Sequence, residues 1–482
     1  MKTSTLFCFP PSLGRAFPLL LALAAGFALS LSPAQAQSLW NGSSSTAWTD
    51  PANWSGGVPD DSTDATIDTN AGNQPVLAGA GNTAALTVGN TSASGPNTLL
   101  TLQSGALLGS ATGIIGNETG STGQISVSGA ASSWLQSNSL SVGLSGTGTL
   151  GIASGGNVSG SLASIGALPG GNGTVTVTGP GSIWQNSAAL SVGESGNGSL
   201  AISSGGNVSN TLGTIGDLSG GNGAATVDGP GSIWINSQAL IVGNSGNGAL
   251  AISNGGSVSS NTGTLGFLSG SNGTVIVDGA GSLWHDSGVL TVGTNGQGNL
   301  TISAGGNVSS SRGTLGGTVT GNGTATITGA GSTWYAGNFV LGNAGKGQLT
   351  LGAGALLSTN NFTINSNSTL IEEFSAGDAS GYGGIAVSDS TSLAGNLTVE
   401  LIGGYDPTAG TIFQLFNYGT GSVTGDFSTY NLPGLDPGLA WDTSTFLTSG
   451  SIAVEAVPEP ATWAALAGLL ALAATALRRR KR

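Results

Sequence analysis

"SVGESGNGSLAISSGGNVS" (Ser191–Ser209) and "TIGDLSGGNGAATVDGPGSIW" (Thr214–Trp234) follow one plan. Each opens on an aliphatic-Gly pair, passes a Gly-Asn-Gly turn, runs through a short strand and ends in a Gly-rich turn. Together they recur every fifty residues. "GPGSIW" stands at Gly179–Trp184 and again at Gly229–Trp234, with looser copies at Gly129–Trp134, Gly279–Trp284 and Gly329–Trp334. Val142-Gly143, Val192-Gly193, Val242-Gly243 and Val292-Gly293 keep the same spacing, as do Asn172, Asn222, Asn272 and Asn322. The last copy slips by one residue, at Leu341-Gly342. Because the halves are related, the true unit is about 25 residues, a period that marks stacked repeats.

Stretches such as "LSVG", "LAIS" and "NVS" alternate apolar with small polar residues and are rich in Val, Ile and Thr, as half-buried strands are. Gly and Asn-Gly separate them, as tight turns require. No stretch in the array has the 3.6-residue period of an amphipathic helix. Two or three short strands per unit predict an all-β chain built as a right-handed parallel β-helix. Roughly eleven coils would stack about 4.8 Å apart between Leu86 and Leu370. A β-sandwich or propeller would need more strand residues per repeat. The expected organisation is a signal segment at 1–36, an N-terminal β cap at 37–85, the array at 86–370, a β-rich C-terminal cap at 371–456 and a sorting segment at 457–482. The caps would hide the open strand edges of the array.

Composition narrows the partners. Gly makes up 87 of 482 residues and charged residues only 6 %, against a usual ~25 %. With 38 % hydrophobic residues the chain escapes the low-hydropathy, high-charge signature of disorder. Its surface must therefore be Ser, Thr, Asn and Gly. Between the basic ends only Arg312 and Lys346 are cationic, while all 22 acidic residues lie between Asp50 and Glu459. This balance disfavours nucleic acid and anionic lipid, and is compatible with neutral sugars and divalent cations. Cys8 is the single cysteine and His285 the single histidine, so neither a disulfide nor a multi-histidine metal site is expected. No cofactor is expected.

Lys2 and Arg15, the apolar run Phe17–Leu31 and the small residues Ala34 and Ala36 read as a secretory signal peptide cleaved before Gln37. At the other end stands "VPEPATWAALAGLLALAATALRRRKR" (Val457–Arg482). Ala461–Leu477 is uncharged over 17 residues, at the short limit for a membrane helix, and a basic tail follows. The order of short motif, apolar helix and basic tail resembles the PEP-CTERM sorting signal, with Val457, Pro458, Glu459 and Pro460 as the motif. The resemblance implies export across the inner membrane of a Gram-negative bacterium and processing near the motif by an exosortase-type transpeptidase. The C-terminal helix would sit in the inner membrane transiently. The product would reach the cell surface, outer membrane or extracellular matrix, in association with exopolysaccharide. The "VGxxGxG" and "GGNV" elements, with the opening Trp40–Pro59 segment, resemble repeats of bacterial autotransporter passengers and related surface proteins.

Some β-helices are polysaccharide lyases or hydrolases, so an enzyme is the alternative. Asp228 and Asp278 occupy equivalent repeat positions two coils apart, about 10 Å by strand spacing. That is marginal for paired-carboxylate hydrolysis, which uses about 5–9.5 Å. His285-Asp286 would be a general base and its orienter, but neighbours on a strand face opposite ways; the bland alternative is a variable exposed site. Asp60, Asp61, Asp64 and Asp68 form an acidic run, read either as a solvated loop or as a cation site. The repeated Asn residues would form stacked amide ladders. The expectation is thus a non-enzymatic, exported structural or adhesion-type protein presenting a repetitive polar face to glycans.

The tryptophans have two readings. Aligning the halves through Ile202 and Val227 sets Ile233 opposite Val208 and Trp234 opposite Ser209. Trp134, Trp184, Trp234, Trp284 and Trp334 would then point outward, about 10 Å apart, as a platform for sugar rings. Alternatively each indole folds over a corner of the core.

Overall fold

The computed structural model describes residues 36–70, 72–375, 384–457 and 460–479. Residues 1–36 and 37–482 are separate units; of the first, only Ala36 is described.

The array is a parallel β-solenoid of about 14 turns. In the central coils one face is a seven-residue strand. Thr147–Ala153, Asn172–Thr178, Asn197–Ser203, Asn222–Asp228, Asn247–Ser253, Asn272–Asp278, Gln297–Ser303 and Asn322–Thr328 pair in parallel, each residue against the one 25 places on. The other face bends. In some coils it is two short strands, such as Ile183–Asn186 and Ala189–Val192; in others it is one longer strand, such as Ile233–Val242. Along the seven-residue strands buried and outward positions alternate. Aliphatic residues of consecutive coils therefore stack inside in columns, for example Leu150, Val175, Leu200, Ala225 and Leu250.

The solenoid exceeds the expected limits at both ends. Its ladder already runs through Thr63–Ile67 and Ala80–Val88, inside the segment assigned to an N-terminal cap. It continues past Leu370 through Asn396–Leu401 to Thr429–Asn431. The C-terminal segment reads differently in sequence because its insertions vary in length, not because the coil stops. The cap is smaller than expected. Leu439–Asp442 and Ile412–Gln414 flank Ser451–Ala456 in an antiparallel sheet. The short helix Phe446–Ser449 sets Phe446 against Phe416, Phe427 and Tyr430 at the end of the core. At the N-terminal end Trp54 packs edge-on against Trp40 and Trp48, with ring centroids 5.0 and 4.7 Å apart.

Candidate functional site

The tryptophan corner begins with two glycines. Gly229 and Gly231 take φ values of 86° and 78°, a region open to glycine at little cost. Between them the turn holds Pro230, and after them comes Ser232, fully buried. Its Oγ donates to Asp228 O at 2.6 Å and accepts Gly205 N of the preceding coil at 3.1 Å. Ser182, Ser282 and Ser332 repeat this staple.

This turn is one residue longer than its partner. From Ile202 to Val208 the chain takes six steps, and from Val227 to Trp234 seven. The observed register keeps Ile202 opposite Val227 and sets Val208 opposite Trp234, with Asn207 opposite Ile233. A shift of one residue moves every side chain to the other face of a strand. The outward reading of the tryptophans is therefore overturned: Trp134, Trp184, Trp234, Trp284 and Trp334 are all 0 % exposed. They offer no platform for sugar rings. Their rings lie across the preceding coil, where a Cβ on Gly113 would meet Trp134 Cζ2 at 2.6 Å and one on Gly313 would meet Trp334 Cζ2 at 3.0 Å.

Two columns flank the tryptophans. Two residues past each Trp, and past the Val that alternates with it, the chain carries an inward residue. The column reads Ser110, Gln136, Gly160, Asn186, Asn210, Asn236, Ser260, Asp286, Ser310, Ala336 and Thr359. Every member except Gly160 is buried. The column feeds the indoles: Trp134 Nε1 donates to Ser110 Oγ at 3.0 Å, Trp234 to Asn210 Oδ1 at 2.8 Å, Trp284 to Ser260 Oγ at 3.3 Å and Trp334 to Ser310 Oγ at 3.2 Å. Asn210 donates onward to Asn236 Oδ1 at 2.7 Å. Sequence reasoning missed this column, since Ser and Asn look like surface residues in a chain so rich in both; the signal was their fixed offset from Trp.

Asp286 belongs to that column and does not orient His285. It is 1 % exposed, and burial pushes its carboxyl up to about 7, with the hydrogen bond from Ser260 acting against the shift. His285 faces solvent, its Nδ1 2.7 Å from Ser309 Oγ. The pair is split across the sheet and forms no base and orienter. A second buried acid, Glu372, stacks between Leu351 and Val399; burial holds its carboxyl well above the usual range.

One residue past each Trp lies an outward column in which larger side chains alternate with serine. It runs Leu135, Ser159, Gln185, Ser209, Ile235, Ser259, His285, Ser309, Tyr335 and Ser358. The larger residues are exposed, Leu135 and Tyr335 by about half. The seven-residue face presents mostly Asn, Thr, Ser and Ala. Its amide ladder is real: Asn197, Asn222 and Asn247 each donate to the Asn of the preceding coil, beginning at Asn172, at 2.9, 3.3 and 3.0 Å. Asp228 is drawn into the next coil, accepting Ser253 Oγ at 2.6 Å and Asn254 Nδ2 at 2.7 Å, which hold its carboxyl low. Asp278 accepts Ser303 Oγ in the same way. Both carboxylates thus serve the ladder. A shallow cleft of about 300 Å³ on this side is lined by Ser, Thr, Gly, Asn and Gln alone.

The acidic run near the N-terminus does not converge. Asp60 accepts Ser62 and Thr63 within its turn, while Asp68 accepts Asn90 N, Thr91 N and Thr91 Oγ1. Among the described residues no group of three or more His, Cys, Asp or Glu side chains is placed to hold a metal ion.

Of the residues at the expected cleavage site, Ala36 and Gln37 lie in the strand Ala36–Leu39, with Gln37 Nε2 donating to Thr66 Oγ1 at 3.1 Å. Ala34 and the remainder of the expected signal segment up to residue 35 lie outside the described residues, as do Pro458 and Glu459. Val457 is exposed, and Pro460 begins the helix Pro460–Arg479. Among the described residues no helix is long and apolar enough to cross a membrane. The span expected at 461–477 is therefore not supported.

Residues 456–481 match the model of the PEP-CTERM protein-sorting motif, and the chain is thereby marked as an exported protein. No curated protein matches the chain. Similar solved structures include a TibC-catalyzed hyper-glycosylated TibA55-350 fragment, 16 % identical, with 75 % of this chain and 97 % of that chain covered and a TM-score of 0.37.

Proposed function

We propose that this is a non-enzymatic cell-surface or matrix protein whose solenoid presents neutral hydroxyl and amide groups to exopolysaccharide. The observation that carries the reading is the pairing of an export-sorting motif with outward faces almost free of charge. Exosortase-type processing near Val457–Pro460 would release the chain to the outer surface of a Gram-negative cell. Since the indoles are buried, recognition must use hydroxyls, amides and the larger outward residues. Each coil then contributes weakly, and many coils give avidity.

The test has two parts. Purified residues 37–456 should bind neutral polysaccharides without cleaving them, and binding should weaken as fifty-residue pairs are removed. Replacing Pro458, Glu459 and Pro460 by Ala should block that processing and leave the chain at full length and associated with the cell. Turnover of any glycan that is lost in His285→Ala would replace this reading by a catalytic one.

A further inference from the structure

One of the five corner tryptophans lacks what the other four have. Trp184 is fully buried, yet its Nε1 has no hydrogen-bond partner in the protein. In the other four coils the indole donates to the residue at the Ser110, Asn210, Ser260 or Ser310 position. Here that position is Gly160, which has no side chain. Its column neighbours are Gln136 and Asn186, 7 % and 3 % exposed, and all four of their amide atoms are likewise buried and without a partner. Five such polar atoms thus belong to Trp184 and to the two column neighbours of one glycine. Buried polar groups cost free energy unless they are hydrogen-bonded.

We propose that the solenoid interior binds a structural water at Gly160. It accepts from Trp184 Nε1 in place of the missing side-chain oxygen and bridges the amides of Gln136 and Asn186. A buried water makes two to four hydrogen bonds with groups of this kind. The place of the missing side chain is reached by one amide: a Cβ on Gly160 would meet Gln136 Oε1 at 2.8 Å, the far end of a flexible side chain that must swing aside to admit the water. On its Gln136 side the column borders a surface cleft of about 430 Å³, lined by Ser110, Gln136 and Ser137 among others.

The experiment is a high-resolution crystal structure of the full chain, with Gly160→Ser and Gly160→Ala beside it. A water within hydrogen-bond distance of Trp184 Nε1 and one of the two amides is expected. Ser should displace it and supply the oxygen; Ala should displace it and supply nothing. Both remove the same glycine freedom, so Gly160→Ser should melt at a higher temperature than Gly160→Ala. A dry site with Gln136 bonded directly to Asn186, or equal melting of the two variants, would overturn the proposal. If crystals fail, magnetisation transfer between water and the Trp184 indole proton gives the same decision.

Discussion

The inward and outward columns beside the tryptophans lie one residue apart on the same strands, yet they obey different rules. The inward column admits only small or polar residues, and it is held by what the indole needs. The outward column keeps serine in every second coil and lets the coil between vary from Leu135 to Gln185, Ile235, His285 and Tyr335. Repetition thus marks structure here, and variation marks the surface where neighbouring stretches of the array can differ in what they contact.

The contrast breaks most sharply at Trp234. Trp234→Ala should cost about 3–5 kcal/mol in denaturant unfolding, as large buried truncations do. A small effect would mean that the indole is not a core residue. Next comes Asp286. An aspartate in the unfolded chain titrates near 3.9, whereas in the fold burial raises it to about 7. Between these values the folded chain holds a proton that the unfolded chain has lost. Stability should therefore be fullest below about pH 4, fall as pH rises toward 7 and stay flat above. Asp286→Asn, which restores the residue found at Asn186 and Asn236, should remove that slope. At about pH 8 it should gain up to about 4 kcal/mol. An unchanged pH profile would place the carboxyl in water. Asn210→Ala should cost about 1–3 kcal/mol, since it strands both Trp234 Nε1 and Asn236. On the outward column Gln185→Ser and His285→Ser should stay within about 0.5 kcal/mol. Their effect should appear in glycan binding instead, measured by surface retention of the purified chain.

Much of the architecture is legible in the sequence. The fifty-residue period, the Gly-Asn-Gly turns and the alternation in "LAIS" suffice for a stacked parallel solenoid of about 25 residues per coil. The facing of the tryptophans was not, because a single extra residue in the Gly-Pro-Gly turn reverses the alternation after it. Counting from Ile202 and Val227 carried the correct pairing to the corner and lost it there. The ends were misjudged for a related reason. Beyond Leu370 insertions between strands erase the period, yet Thr369–Phe374, Asn396–Leu401 and Thr429–Asn431 still pair in register. Strand alternation sets His285 and Asp286 on two faces, but the reading of the pair as a variable exposed site fails for Asp286, which is 1 % exposed and whose buried face is legible only from the column it joins.

The order of stacking on the inner wall also sets how such a chain can grow. Val158, Trp184, Val208, Trp234, Val258, Trp284, Val308 and Trp334 succeed one another, small then large. Loss of one 25-residue coil would bring two indoles face to face in space shaped for one. Loss or gain of a fifty-residue pair leaves the succession of Val and Trp unchanged. The array is thus a ruler graduated in even steps, and recombination between its copies can lengthen or shorten it only by whole pairs.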